Sequence, residues 1–272
     1  MKSPKSIISL DNPLFKRVKT LLEGGAKASK LRSDLGLAVA EGAHLAQSWL
    51  GSEDLVEILT TEAGLVLPEI AAVVDMQLAL VPSTELFILD ETLWKKLSDL
   101  GHAPPIIITI KIPEREFPSN LSHDVLILDG VQDAGNVGSM MRTAAGAGLQ
   151  HIVCMKGTAQ AWSPKVLRAA MGAHRHLKIQ EGWSLNQVRD KITLPIYSTC
   201  LNAEQDLYDL GEALKEPHAW VFGNEGSGIN PEFSTFSKGI SIPQDPAIES
   251  LNVGAATAIC LFEAKRVRRQ TS

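Results

Sequence analysis

The stretch "ILDGVQDAGNVGSMMRTAAGAGL", residues 127–149, decides the fold. An apolar run ends at Asp129-Gly130, glycines mark a bend, and the small residues from Thr143 to Ala147 suit a closely packed helix. Strand, bend and helix in this order open many nucleotide-binding folds. Here, however, Gly130, Gly135 and Gly138 miss the G-x-G-x-x-G spacing, and "LQHIVCMKG" lacks the acid that a dinucleotide ribose needs about 20 residues on. A Rossmann dehydrogenase is therefore the weaker reading. What remains is N-x-G-x-x-x-R, with Asn136 as a helix cap or a clasp on a neighbour and Arg142 one turn into the helix, near its N-terminus.

Outward from this turn the alternation continues. "DVLILD" (124–129), "HIVCM" (151–155), "PIYSTC" (195–200) and "AWVFG" (219–223) are apolar runs, most of them followed by helical segments. Such strands predict a mostly parallel sheet covered on both faces, with ligands bound beyond the strands' carboxyl ends. On the N-terminal side, "PLFKRVKTLL" (13–22), "AHLAQSWL" (43–50), "LPEIAAVVDM" (67–76) and "TLWKKLSDL" (92–100) read as helices. "LGLAVAEG" (35–42), "LVEILTT" (55–61) and "IIITIKI" (106–112) read as strands. The polar, twice-proline segment "PEREFPSNLSHD" (113–124) is the linker candidate. It divides the α/β chain into a smaller domain over 1–112, a linker over 113–122 and a larger domain over 123–272.

Composition narrows the classes. At 272 residues the chain suggests two domains of about 150 residues or less, and 44% apolar with 21% charged residues is ordinary for a soluble protein. No apolar run approaches the roughly 20 residues of a membrane span, and "MKSPKSIISLDNP" lacks the apolar centre of a secretory signal, so a cytoplasmic protein is expected. Cys154, Cys200 and Cys260 form no C-x-x-C and read as small core residues. His174 and His176 stand two apart, on different sides of a helix, so no metal site is expected. The net charge of −5 conceals a basic start: residues 1–32 hold eight Lys and Arg against Asp11 and Glu23. Such a surface suits phosphate, although a solvated helix face explains it equally simply. Lys265, Arg266, Arg268 and Arg269 form a second cluster, at a helix end that favours cations.

Two further strand ends carry polar, glycine-rich loops. "VFGNEGSGI" (221–229) packs backbone amides and the Glu225 carboxylate into one bend. "ISIPQDPAIESLNVGAATAICLFEAKR" (240–266) runs from a strand ending at Pro243 through a loop to a long small-residue helix, for which Ser250 is the natural N-cap.

Together, N-x-G-x-x-x-R-T-A, G-N-E-x-x-G and I-P with E-S-L-N-V resemble the three signature motifs of the SpoU/TrmH family, S-adenosylmethionine-dependent RNA ribose 2′-O-methyltransferases of the SPOUT class. The likeness spans roughly 122–270, including "SPKVLRAAMGAHRHL" (163–177). The N-terminal domain is similar to the ribosomal-protein-like substrate-binding domain of many members. The resemblance implies a deep trefoil knot and a homodimer whose active sites draw on both subunits. It places S-adenosylmethionine in the loops at 221–228 and 240–252, with Gly223, Asn224, Gly228, Ile242 and Leu251 as contacts. Arg142 matches the family's essential arginine, surrounded by Asn136, Glu225, Ser250 and Asn252. The implied substrate is structured RNA, foremost 23S ribosomal RNA, at guanosine or another nucleoside. The alternatives are tRNA, or a catalytically silent RNA-binding member, against which the intact polar set weighs.

Overall fold

The computed structural model describes residues 4–97, 105–114, 116–118 and 121–270. It divides into two compact units, Met1–Glu114 with Trp162–Gly172, and Arg115–Ala161 with Ala173–Ser272.

The first unit runs β1 (Lys5–Ile7), α1 (Pro13–Leu22), α2 (Gly25–Leu35), β2 (Leu37–Glu41), α3 (Ala43–Ser48), β3 (Leu55–Thr61), α4 (Glu62–Val66), α5 (Pro68–Leu80), β4 (Glu85–Leu89), α6 (Glu91–Leu97) and β5 (Ile106–Lys111). Its sheet has the order β1-β4-β3-β5-β2. β1, β4 and β3 are parallel, and β5 is antiparallel to β3 and β2. α1 starts where Asn12 Oδ1 accepts the Leu14 and Phe15 N–H groups at 2.9 and 3.4 Å, with Pro13 already set at a helical φ. It buries Phe15, Val18 and Leu21 on Ile7, Leu59, Phe87 and Ile107. α2 was not legible because it buries only Ala28 and Arg32 and so shows no apolar stripe. The end of "TLWKKLSDL" lies outside the described residues.

The second unit holds β6 (Val125–Asp129), α7 (Ala134–Ala147), β7 (His151–Met155), then, beyond α8 (Pro164–Ala170), β8 (Lys178–Trp183), α9 (Leu185–Lys191), β9 (Ile196–Thr199), β10 (Gln205–Asp206), β11 (Ala219–Gly223), β12 (Lys238–Ser241) and α10 (Val253–Arg269). These seven strands are all parallel, in the order β10-β12-β9-β11-β6-β7-β8. The mostly parallel sheet expected from the apolar runs is thus present. β8 and β10, missing from the sequence reading, are the two edge strands, whose partial exposure erases the apolar signal. The last strand ends at Ser241, before the Pro243 expected to close it, since proline has no N–H for a ladder. No described helix is long and apolar enough to cross a membrane.

α8 belongs to the first unit. Its segment packs on β2, with Trp162 6.4 Å from Trp49 between ring centroids and Arg168 3.7 Å from the buried Glu41 carboxylate. At the base of this excursion, His174 Nε2 meets the Ala161 carbonyl at 2.8 Å within the second unit.

Candidate active site at the strand carboxyl ends

Strand register builds the site. Leu128 pairs with Phe222 and Asp129 with Gly223, so β6 and β11 end side by side and their loops emerge together. Gly130 turns at φ 69°, a conformation that suits glycine, and its N–H donates to Thr158 Oγ1 at 3.1 Å. Thr158 in turn donates to the Leu128 carbonyl at 2.8 Å. The Gly130 carbonyl accepts from Asn224 Nδ2 at 2.9 Å, which joins the first loop to the second.

α7 begins at Ala134, and its N-cap is Asp133, whose Oδ1 accepts the Asn136 N–H at 2.7 Å. Asn136 therefore does not cap the helix, as one of its two expected roles had it. It is the third helical residue, and its amide is free for tertiary work. Nδ2 donates to Glu225 Oε1 at 2.8 Å, and Oδ1 accepts from Asn252 Nδ2 at 3.2 Å. One side chain thus ties together all three loops.

The second loop closes on itself. Asn224 and Gly228 exchange both main-chain hydrogen bonds, at 3.0 and 2.9 Å, while Asn224 Oδ1 accepts from the N–H groups of Gly226 and Ser227 at 2.8 and 3.0 Å. Any side chain at Gly223 would collide with the main chain of Gly228 and Ile229, which makes glycine a steric requirement. The Asp129 carboxylate accepts the Asn230 N–H at 2.6 Å and fixes the loop's exit. Glu225 stands exposed at the tip.

The third loop, 242–252, holds half-buried Ile242 and Leu251. Before Asn252 its bonds are local: Ile248 N–H to the Asp245 carbonyl at 3.0 Å, Ala247 N–H to the Asp245 carboxylate at 2.8 Å, and Gln244 Nε2 to the Ile248 carbonyl at 3.2 Å. Ser250 is not the N-cap. α10 begins at Val253, so Ser250 lies two residues too early to reach the orphan N–H groups, and Asn252 Oδ1 accepts those of Gly254 and Ala255 at 2.9 and 3.2 Å. Ser250 is exposed.

Arg142 also departs from expectation. It is the ninth residue of α7, not one turn in, and lies about 12 Å along the helix from its start. Six residues separate it from Asn136, which turns it about 120° round the helix axis. It is exposed, and among the described residues it makes no hydrogen bond or ion pair, whether with Asn136, Glu225, Ser250, Asn252 or any other group. The structure thus brings Asn136, Glu225 and Asn252 together and leaves Arg142 and Ser250 out of that cluster.

Asp129, Asp133 and Thr158, which hold the loops, were not read from the sequence. Asp133 has a signal, an Asx residue immediately before a helix; Thr158 acts on Gly130 from 28 residues away and has none. Elsewhere, burial pushes His174 down to about 4, lowers His218 and raises the buried thiols Cys154 and Cys260, which marks these as structural groups. Cys200 is exposed, not a core residue, because it follows the end of β9 into a turn.

Comparison with known proteins gives the same three loops a family. The model of the SpoU rRNA Methylase family matches residues 124–262, half of the chain. The chain is similar to the 23S rRNA (guanosine(2553)-2′-O)-methyltransferase RlmP of Bacillus subtilis, at 28% identity over 265 residues, covering 96% of this chain and 99% of that one. Among solved structures it resembles an RNA 2′-O ribose methyltransferase at 28% identity and a TM-score of 0.74, covering 97% of this chain and 99% of the other. The SpoU methyltransferase AviRb of Streptomyces viridochromogenes, solved with AdoMet, shares the fold at 21% identity and a TM-score of 0.81, over 96% and 99% of the two chains. The chain belongs to the SpoU rRNA Methylase family.

Proposed function

We propose that this chain transfers a methyl group from S-adenosylmethionine to a ribose 2′-hydroxyl of ribosomal RNA, with a guanosine of 23S RNA as the target. The observation that carries the reading is the Asn136 amide, which joins Glu225 and Asn252 and so gathers all three family motifs at one edge of a parallel sheet. Ligands of such sheets bind at this edge.

The donor set suits the cofactor. Half-buried Ile242 and Leu251 offer apolar faces to a purine, and the tight turn at Gly223 keeps main-chain groups close. Asn224 and Gly228 spend their hydrogen bonds on each other and on Gly130, so they shape the cradle and leave contact to Gly223, Ile242 and Leu251. When bound, S-adenosylmethionine supplies an electrophilic methyl and its own neutral leaving group. The protein's part is orientation and electrostatics. A guanidinium stays protonated, so Arg142 is no base; it pairs with the target phosphate and stabilises negative charge on the 2′-oxygen as the proton leaves to water at this exposed edge. Asn136, Glu225 and Asn252 orient the ribose, with Ser250 at their border.

Because Arg142 is unpaired and turned away from Asn136, it serves the site of a second subunit in a homodimer. A trefoil knot in the second unit and RNA binding by the N-terminal unit complete the reading. Incubation with methyl-labelled cofactor and total RNA, followed by nuclease digestion, is expected to place label on ribose; label confined to bases, or full activity of Arg142→Ala, refutes it.

A further inference from the structure

We infer that the groove between α1 and α2 is a seat for the phosphate backbone of the RNA substrate, gripped by Lys27 and Lys30. The inference rests on the functional reading above and adds to it the surface that holds the RNA.

The groove has a volume of about 700 Å³ and lies wholly in the N-terminal unit. Four cations line it, Lys16, Arg17, Lys27 and Lys30, against the single carboxylate of Asp34, in a chain whose net charge is −5. Positive charge is therefore concentrated here against the sign of the molecule. Two of the cations already have partners. Lys16 Nζ meets Asp11 at 2.7 Å, and Arg17 Nη2 reaches both oxygens of Glu57 at 2.5 and 2.7 Å. Lys27 and Lys30 are exposed and have no ion pair or hydrogen bond among the described residues.

α2 is built to present them. The helix buries only Ala28 and Arg32, and Arg32 Nη1 donates to the Leu21 carbonyl at 3.2 Å, which fixes α2 against the end of α1. Lys27 and Lys30 turn away from that buried face and are exposed; beside them Leu31 is partly buried against the core and Leu35 is 45% exposed. Packing accounts for Leu31 but not for the two unpaired lysines. Lys27 stands in the first turn of a helix that has no acidic residue there, where a cation opposes the helix dipole. Lysines one turn apart above an apolar floor suit a nucleic-acid strand, with phosphates on the ammonium groups and ribose on the leucines.

The test uses the full chain and in vitro transcribed 23S RNA, without cofactor, in anisotropy titrations over a salt series. The double variant K27Q/K30Q keeps helix propensity and charge-pair partners intact. It is expected to bind RNA at least tenfold more weakly near 0.15 M salt, with a log–log salt slope shallower by about 1.5 for two lost phosphate contacts. K27R/K30R is expected to bind like the wild type, and all three proteins to bind S-adenosylmethionine equally. Unchanged RNA affinity and slope in K27Q/K30Q overturn the proposal and leave the groove to another partner, such as an acidic protein surface. A wild type that loses RNA with these lysines but transfers no methyl instead overturns the functional reading and leaves the groove standing.

Discussion

The last turn of α10 is tied down by an ion pair with one buried and one part-exposed partner, and the two partners are predicted to respond unequally to substitution. Arg268, in the last turn of α10, donates from Nη1 to Asp124 Oδ2 at 2.6 Å and from Nη2 to Oδ1 at 2.8 Å. The same carboxylate accepts the His218 N–H at 3.1 Å, and Arg268 also reaches the carbonyls of Lys215 and Glu216 at 3.2 and 3.1 Å. Breaking such a pair by removing one partner costs about 3–5 kcal/mol when the survivor stays buried. Here burial is asymmetric: the Asp124 side chain is 4% exposed and that of Arg268 35%. Asp124→Asn leaves a guanidinium that regains water and keeps its two carbonyls, which lowers the expected cost to about 2 kcal/mol. Arg268→Ala leaves a buried carboxylate with the His218 main-chain N–H and, 3.7 Å away, the His218 ring, and about 3–5 kcal/mol is expected. Native-state amide exchange resolved over β6 and α10 reads this without assuming that the two units unfold together. Arg268→Ala should speed exchange about a hundredfold or more, and Asp124→Asn by about thirtyfold. Equal effects, or a larger effect from Asp124→Asn, would refute the argument from burial.

Three further outcomes follow from the geometry. Asn252→Ala removes a cap with two hydrogen bonds and the link to Asn136; about 1 kcal/mol of stability should be lost, with a larger fall in methyl transfer than the stability change explains. His174 is buried neutral with its pKa pushed down to about 4, so the unfolded chain takes up a proton first as pH falls. Stability is intact above about pH 6.5 and declines toward pH 4, by about 2 kcal/mol between pH 7 and 5, and His218 adds in the same direction; urea midpoints that do not move over this range contradict it. If Arg142 completes the partner's site, mixing inactive Arg142→Ala and Asn136→Ala subunits restores one intact site in each heterodimer, about a quarter of wild-type activity after random exchange. No recovery in a mixture shown to contain heterodimers places Arg142 in its own subunit's site.

The parts of the site legible in the sequence are those defined by local pattern. The apolar strands, the glycine-rich bends at their ends and the small-residue helices follow from composition and period over a few residues. The edge strands β1, β8 and β10 escaped because one side of each faces solvent or a single neighbour, the interior β4 because a five-residue apolar run has no period that separates strand from helix, and α2 because its two buried residues make no stripe. The ties between loops escaped for a different reason. Asp129 reaches Asn230 across 101 residues, Asn224 reaches Gly130 across 94, and nothing in a polar side chain's own neighbourhood names so distant a partner. The pattern N-x-G-x-x-x-R illustrates both cases. Read as a line, it suggests one cluster in which Asn136 and Arg142 meet. In three dimensions, Asp133 takes over the capping of α7, which frees the Asn136 amide to bind Glu225 and Asn252, while about 120° of helical rotation turns Arg142 away from all three. A helix that presents its polar amide to one set of loops and an unpaired arginine to another direction has two faces to satisfy. That spacing is what the proposed homodimer requires of one helix: Asn136 for its own subunit's site and Arg142 for its partner's.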